Sequence, residues 1–414
     1  MADSMLYPRF ARNRLEEALE DTPVVLIHGP RQCGKTTLAR MVGDAAGYEY
    51  ITFDDDVQLA AAQADPVGFV AALPDKVILD EVQRVLGLFI ALKSAVDRDR
   101  RQGRFFLTGS ANVLLVTKLA DSLAGRMEIQ RLHPLTQDKL GKKSSGFIDA
   151  LSAAQFRNRR LERLGPDLAE RICAGGYPAA LSRATPKRRA AWYRDYIETL
   201  VQRDVRDLSR IRAMDALLRL LQLAAGQSAR LVNVAEMASA FQLSRPTIRE
   251  YVVLLERIFL LEHLPPWHSN RLSRLIKTPK LYLCDTGLAA ALLGVDAAAL
   301  IKNRDMLGPL LETLIFQELK RQASWNETPV RFHHFREKDG SEVDIVLEQA
   351  GRITGIEVKA AATLMGKDFR GLKKLQGTVG KQFDAGVVPF DGENMAGFGE
   401  NLYAIPIRML WETN

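Results

Sequence analysis

Residues 24–38 read VVLIHGPRQCGKTTL. An apolar, strand-like run leads straight into Gly29-x-x-x-x-Gly34-Lys35-Thr36, and a helical pattern starts there, so the stretch predicts strand, phosphate-binding loop and helix in that order. Gly29 and Gly34 let the backbone of Pro30, Arg31, Gln32 and Cys33 wrap a row of phosphates. Lys35 supplies charge to the β and γ oxygens, the Thr36 hydroxyl suits Mg²⁺, and Thr37 stands beside it in the first helical turn. Outward from this loop, KVILDEVQ at 76–83 is a second apolar strand, ending in acid. Asp80 there suits Mg²⁺ held through water, and Glu81 suits polarisation of the attacking water. The alternative for the acidic pair is a cap on the next helix. A third strand, RFFLTGS at 104–110, ends in Thr108 and Ser110. A polar group at such a strand end senses a γ-phosphate, although a plain strand-to-loop turn has the same sequence.

With 414 residues and 47% apolar composition, the chain can build two or three packed domains. The net charge of +7 permits an anionic partner such as nucleic acid and is equally compatible with an ordinary basic protein. Cys33, Cys173 and Cys284 lack metal-ligand spacing, which excludes a zinc site or a disulfide framework and fits a reduced cytoplasm. The first residues, MADSMLYPRF, lack the apolar core of a secretion signal, and no run approaches the ~18 apolar residues of a membrane span. A cytoplasmic protein without membrane association is expected.

The segments GPRQCGKTTL, ILDEVQ, FLTGS and SLAGR (122–126) together resemble the AAA-type ATPase domain (AAA_14) that precedes a DUF4143 region in many bacterial and archaeal proteins. GGYP at 175–178, RDV at 203–205, LYLCDTGL at 281–288 and the EVK segment follow in that family's order, so the resemblance covers nearly the whole chain. It implies ATP hydrolysis with Mg²⁺. It also implies that Arg126 contacts the γ-phosphate, within the chain or from a neighbouring subunit of a homo-oligomer; a structural arginine is the alternative. Arg203 and Asp204 resemble the family's RD pair, and a solvated ion pair explains them equally well.

Between these segments, KLGKKSSG at 139–146 predicts an exposed loop near the end of the first domain. Long helices follow over 189–225. LVNVAEMASAFQLSRPTIREYVVLLERIFLLE, at 231–262, has the phasing of a helix-turn-helix. Ser244 caps its second helix, Pro246 is tolerated in the first turn, and Ile248, Tyr251, Val252 and Leu255 form a buried stripe. Arg245 and Arg249 then lie at the exposed start of that helix, where DNA is met. Such modules also serve as protein docking pieces or as lids on ATPases. Arg271, Arg274 and Lys277 suggest a basic wing or a merely solvated run.

The last third holds a helix, LGPLLETLIFQELKRQ, then strands at VRFHHF, SEVDIVLE and ITGIEVK. Side chains alternate along a strand, so Asp344 stands opposite the Val343, Ile345, Leu347 face, and Glu357 shares a face with Lys359. If the strands pair in register, Asp344, Glu357 and Lys359 converge. Two carboxylates suit a divalent metal, and a lysine beside it can orient or deprotonate water. This pattern resembles the PD-(D/E)xK nuclease superfamily, with Glu312 in place of its first-helix acid. That resemblance implies Mg²⁺ at Glu312, Asp344 and Glu357, with Lys359 catalytic; the same fold can also keep such charges without cleaving anything. Lys367 and Lys373 are either backbone-phosphate contacts or surface charge.

The expectation is therefore an α/β chain in four segments. These are a P-loop NTPase domain with a parallel sheet (1–140), a helical lid or linker (141–225), a winged helix-turn-helix (226–300) and a restriction-endonuclease-like α/β domain (301–414). Two functions fit: an ATP-dependent enzyme acting on DNA, or a signalling or scaffold ATPase whose nuclease-like domain only binds DNA or a protein.

Overall fold

The computed structural model describes residues 10–110, 123–137, 146–152, 156, 160–208, 214–269 and 278–412. Arg271, Arg274 and Lys277 lie outside the described residues, as do most of KLGKKSSG and the side chains of Arg203 and Asp204. Contacts divide the chain into two units. The first ends at Pro134 and takes in Tyr177–Ala179 and Arg257–Phe259; the second holds the remainder.

The first unit is built on a five-stranded sheet in the order β2-β3-β4-β1-β5. Its strands are β1 (Val24–Gly29), β2 (Glu49–Thr52), β3 (Val77–Asp80), β4 (Phe105–Ser110) and β5 (Met127–Arg131), all parallel. Strands of this kind read as unbroken apolar runs because both faces are covered. Val24 and Leu26 join the core beneath α5 (Leu88–Arg98), with Leu79 and Phe105 and with Ala62 of α3 (Asp56–Ala64) and Val70 of α4 (Pro66–Ala71). Val25 and Ile27 join the opposite core with Leu38 and Val42 of α2 (Lys35–Ala46) and Leu15 of α1 (Ala11–Asp21). Because the sheet is parallel, the carboxyl ends of β1, β3 and β4 lie along one edge: Gly29 pairs with Ser110, and Thr52 with Asp80. That edge carries every strand-end residue singled out from the sequence.

The second unit has two sheets. The small one, ordered β6-β8-β7, comprises β6 (Arg230–Leu231), β7 (Leu261–Leu264) and β8 (Lys280–Leu283), all antiparallel. Two helices, α6 (Val234–Phe241) and α7 (Arg245–Arg257), lie between β6 and β7 in the chain. A long helix, α8 (Arg304–Ala323), then leads into a six-stranded sheet ordered β13-β14-β12-β11-β10-β9. Here β9 (Val330–Arg336), β10 (Glu342–Gln349) and β11 (Arg352–Ile356) form an antiparallel meander. After helix α9 (Arg370–Val379), β12 (Phe383–Phe390) returns parallel to β11, and β14 (Leu402–Pro406) is parallel to β12. The edge strand is β13 (Ala396–Gly399).

The helical, helix-turn-helix and C-terminal segments, expected as three domains, share one unit. Buried polar ties join them. Arg321 on α8 donates to the Leu135 carbonyl (2.8 Å) and to Asp285 (2.9 Å), and Asp285 also accepts from the Gly176 amide (2.8 Å). Ser228 meets Thr313 at 2.9 Å. Such groups have no water to fall back on, so each must keep its protein partner. This explains why α8 is buried nearly all round, polar residues included.

Candidate functional sites

At the carboxyl edge of the parallel sheet, α2 begins directly after Gly34, which has φ +99°, a left-handed conformation a glycine takes at no steric cost. The first amides of α2 therefore face the loop with the positive end of the helix dipole, as an anion site requires. Lys35 is buried, and its ammonium donates to the loop's own carbonyls at Gly29 (3.1 Å) and Pro30 (2.9 Å). Thr36 donates to the Asp80 carboxylate at 3.0 and 3.2 Å. Asp80 is also bonded by Thr108, and by Tyr50 at 2.6 Å. Burial and the bond to Asp80 push the Tyr50 hydroxyl well above its ordinary pKa, so it stays a donor. Glu81 has φ +59°, unusual for a side-chain-bearing residue and a mark of constrained backbone. Its carboxylate is bonded by Gln83 and by Ser110 (3.3 Å), and Gln83 also donates to Ser110 (2.9 Å).

Lys35, Thr36, Asp80, Glu81, Thr108 and Ser110 are thus together, with Tyr50 and Gln83 added by the fold. Of the remaining loop residues, Cys33 is buried with its thiol on the Leu132 carbonyl (3.6 Å), while Gln32 and Thr37 are exposed. The hydroxyl of Thr36 and the carboxylate of Asp80 are hard oxygens side by side, a donor set that fits Mg²⁺.

Arg126 is elsewhere. It precedes β5, whose Met127 pairs with Val24 at the amino end of β1. Five residues of parallel strand separate Val24 from Gly29, about 16 Å, so Arg126 does not reach the loop of its own chain. Its guanidinium pairs with Asp97 at 2.5 Å.

A second polar cluster lies in the other unit. Ile345 pairs with Ile356, which sets Asp344 opposite Glu357 as the alternation predicts. Strand β11 ends at Ile356, one residue short of Glu357, but Glu357 and Lys359 continue onto β12 through amide bonds to Val387 (3.0 Å) and Pro389 (3.1 Å). Lys359 meets Glu357 at 2.7 Å. Between Glu312 of α8 and Asp344 stands a group absent from the sequence-based site: the Lys280 ammonium of β8, 2.8 Å from one and 2.9 Å from the other. Tyr282 donates to Glu312 at 2.5 Å, and the second Asp344 oxygen accepts from the Val358 amide at 2.9 Å. Burial, then the Asp344 charge, raises both Glu312 and Glu357 to about 8, while Lys280 holds Asp344 low against burial.

Glu312 and Asp344, assigned to Mg²⁺ from the sequence, are therefore bonded to Lys280 and Glu357 to Lys359, and as they stand these three do not fit a divalent ion. Among the described residues, no group of three or more His, Cys, Asp and Glu side chains is set to hold a metal. Arg245 and Arg249 are exposed on the first turns of α7, whose Ser244 hydroxyl accepts from the Thr247 amide at 3.2 Å.

Family models match three successive stretches of the chain. They are an AAA domain over residues 21–140, a domain of unknown function (DUF8612) over 165–299 and a domain of unknown function (DUF4143) over 307–410. Two curated relatives are "Uncharacterized protein Rv2008c" of Mycobacterium tuberculosis and "Uncharacterized protein Mb2031c" of Mycobacterium bovis. Each is 32% identical over 357 residues, 86% of this chain and 74% of its own length. The chain belongs to their family. Its AAA domain spans the whole P-loop site, and its DUF4143 region spans Glu312, Asp344, Glu357 and Lys359. Lys280, by contrast, falls within the DUF8612 match.

Among solved structures, the Walker-type ATPase PABY2304 of Pyrococcus abyssi overlaps 69% of this chain and 96% of its own, with TM-score 0.41 and 16% identity. The RuvB Holliday junction branch migration motor of Thermotoga maritima overlaps 63% and 90%, with TM-score 0.29 and 18% identity. No helix among the described residues is long and apolar enough to cross a membrane.

Proposed function

We propose that the protein hydrolyses ATP at the P-loop edge and uses that cycle to act on DNA, gripped by α7 and by a nuclease-like C-terminal domain. The observation that carries the ATPase reading is the gathering of Lys35, Thr36, Asp80, Glu81 and Ser110 at one sheet edge. On nucleotide binding, the Lys35 ammonium exchanges its two loop carbonyls for phosphate oxygens. Thr36 and Asp80 would hold Mg²⁺, which supplies charge neutralisation on the phosphates. Glu81 takes a proton from the attacking water, and Gln83 couples it to Ser110, so the base and the strand-end hydroxyl respond to the same phosphate.

Arg126 serves this reaction from a neighbouring copy. Its distance from its own loop argues against action within one chain, and its pair with Asp97 is partly exposed, worth only about 0–1 kcal/mol, so redirecting it costs little. That makes a homo-oligomer the working form.

DNA action is supported by two features. The exposed Arg245 and Arg249 begin a capped helix in the order helix, helix, strand, strand expected of a winged helix. The meander β9-β10-β11, helix α9 and parallel β12 follow the order of the PD-(D/E)xK fold. The lysine between Glu312 and Asp344 favours gripping over cutting.

The test is binding of a labelled DNA duplex with and without ATP, comparing wild type with Arg245→Ala/Arg249→Ala. A loss of about tenfold or more is expected from removing two phosphate or base contacts. Equal binding by the variant would remove α7 from the interface. No DNA binding by either protein would favour the signalling or scaffold reading.

A further inference from the structure

The acid centre of the C-terminal domain has a cation of its own. Lys280 is the first residue of β8, the central strand of the small sheet, held between Leu231 of β6 and Leu264 of β7. Its side chain is only 7% exposed, and its two carboxylate partners are 13% and 10% exposed. Sheet pairing fixes the Lys280 backbone, the two carboxylates hold its ammonium, and burial shuts it away from water.

Its surroundings are carboxylate oxygens brought in from different elements. Glu312 and Asp344 each turn an oxygen to one point from different elements, and Glu357 lies across the strand pair from Asp344. One Glu357 oxygen is buried with no hydrogen-bond partner, and the other is engaged by Lys359. The oxygens of Glu312 and Asp344 that grip the Lys280 ammonium are the same hard donors a divalent ion in its place would take. Entry of that ion without loss of the lysine would bring like charges together in a dry site, which is strongly unfavourable.

Resting on the nuclease-like reading of this domain, we infer that Lys280 is a built-in counter-ion that occupies the divalent-cation position of the centre and keeps Mg²⁺ and Mn²⁺ out. The site is latent, and withdrawal of Lys280 opens it. Because the lysine belongs to the sheet that frames α6 and α7, the metal position is closed by the helix-turn-helix segment rather than by the domain that holds the acids.

The experiment titrates Mn²⁺ into the full-length protein without nucleotide, with free Mn²⁺ followed by electron paramagnetic resonance. Wild type, Lys280→Met and Lys280→Met/Asp344→Asn are compared, each checked for fold by circular dichroism. The expected result is one Mn²⁺ site gained in Lys280→Met, absent from wild type and lost again in the double variant. Where Lys280→Met fails to fold, Lys280→Gln, which still donates to a carboxylate, replaces it with the same expectation.

Equal Mn²⁺ binding by wild type and the single variant overturns the inference, as does its absence from both. A folded single variant that binds Mn²⁺ yet leaves DNA intact supports the counter-ion role while removing a cutting role. Retained duplex binding by Arg245→Ala/Arg249→Ala, or none by wild type, bears only on the DNA reading, so the two failures are separable.

Discussion

Asp80 takes hydrogen bonds from Thr36, Tyr50 and Thr108, three side chains from three different elements. A carboxylate held this way is already oriented without nucleotide, as the proposed Mg²⁺ site requires. Thr108→Val preserves shape in a fully buried position and removes one charge-assisted bond, worth about 1.5–3 kcal/mol. ATP turnover is expected to fall about 10- to 100-fold, with the larger effect on the Mg²⁺ concentration needed for half-maximal rate. A turnover unchanged at every Mg²⁺ concentration would remove Thr108 from that role. Thr108 was legible in the sequence as a polar strand end. Tyr50 was not, because its bond to Asp80 depends on β2 lying beside β3, a pairing no local pattern announces. Lys280 was hidden for the same reason: 64 residues separate it from Asp344.

At the level of elements, apolar runs and turn residues foretold β1, β3, β4 and the C-terminal meander, and Asn233 and Ser244 mark the starts of α6 and α7 as capping chemistry requires. Periodicity was least informative for α8. Its buried Gln317, Glu318, Arg321 and Gln322 look solvent-facing in sequence, and only their partners, such as the Gln137 amide on Glu318 at 3.0 Å, make them core residues. Close packing also sets limits invisible in composition. A Cβ on Gly371 of α9 would lie 1.8 Å from the Glu342 carbonyl oxygen of β10. Gly371→Ala gains about 1 kcal/mol in helix propensity but must push helix and strand apart, at a cost of roughly 3 kcal/mol. A net loss of about 2 kcal/mol is expected in denaturant unfolding of the second unit. A stabilised variant would mean that α9 does not seat on β10 as described.

For the whole molecule, His334, buried, and His28, partly buried, oppose stability as pH falls. His28 is lowered to about 4 by burial and by the charges of Arg131 and Lys35, and His334 to about 4 by burial and by Lys280. Both are neutral in the fold, whereas the unfolded chain takes up their protons near 6.5. The unfolded state therefore binds more protons between pH 6.5 and 4, and stability is lost as pH falls through that window. Glu312 and Glu357, raised to about 8, act the other way as pH falls from 8 to about 4.5, so the histidine share is read by comparison with a variant. Going from pH 7 to pH 5, the melting temperature of His28→Asn/His334→Asn should shift upward by a few degrees relative to that of wild type; an unaltered pH profile would exclude these two groups. Assembly is the scale at which sequence says least. SLAGR marked Arg126, but only the strand register shows it at the far end of the sheet from Gly29, which leaves a neighbouring copy or a structural pair with Asp97 as its partner.

The most direct test of the central claim compares ATP turnover with retained nucleotide in Glu81→Gln. If Glu81 is the general base at an intact P-loop, the variant binds ATP and Mg²⁺ as the wild type does, and turnover falls on the order of 100-fold or more. Hydrolysis by Glu81→Gln at the wild-type rate would contradict the account.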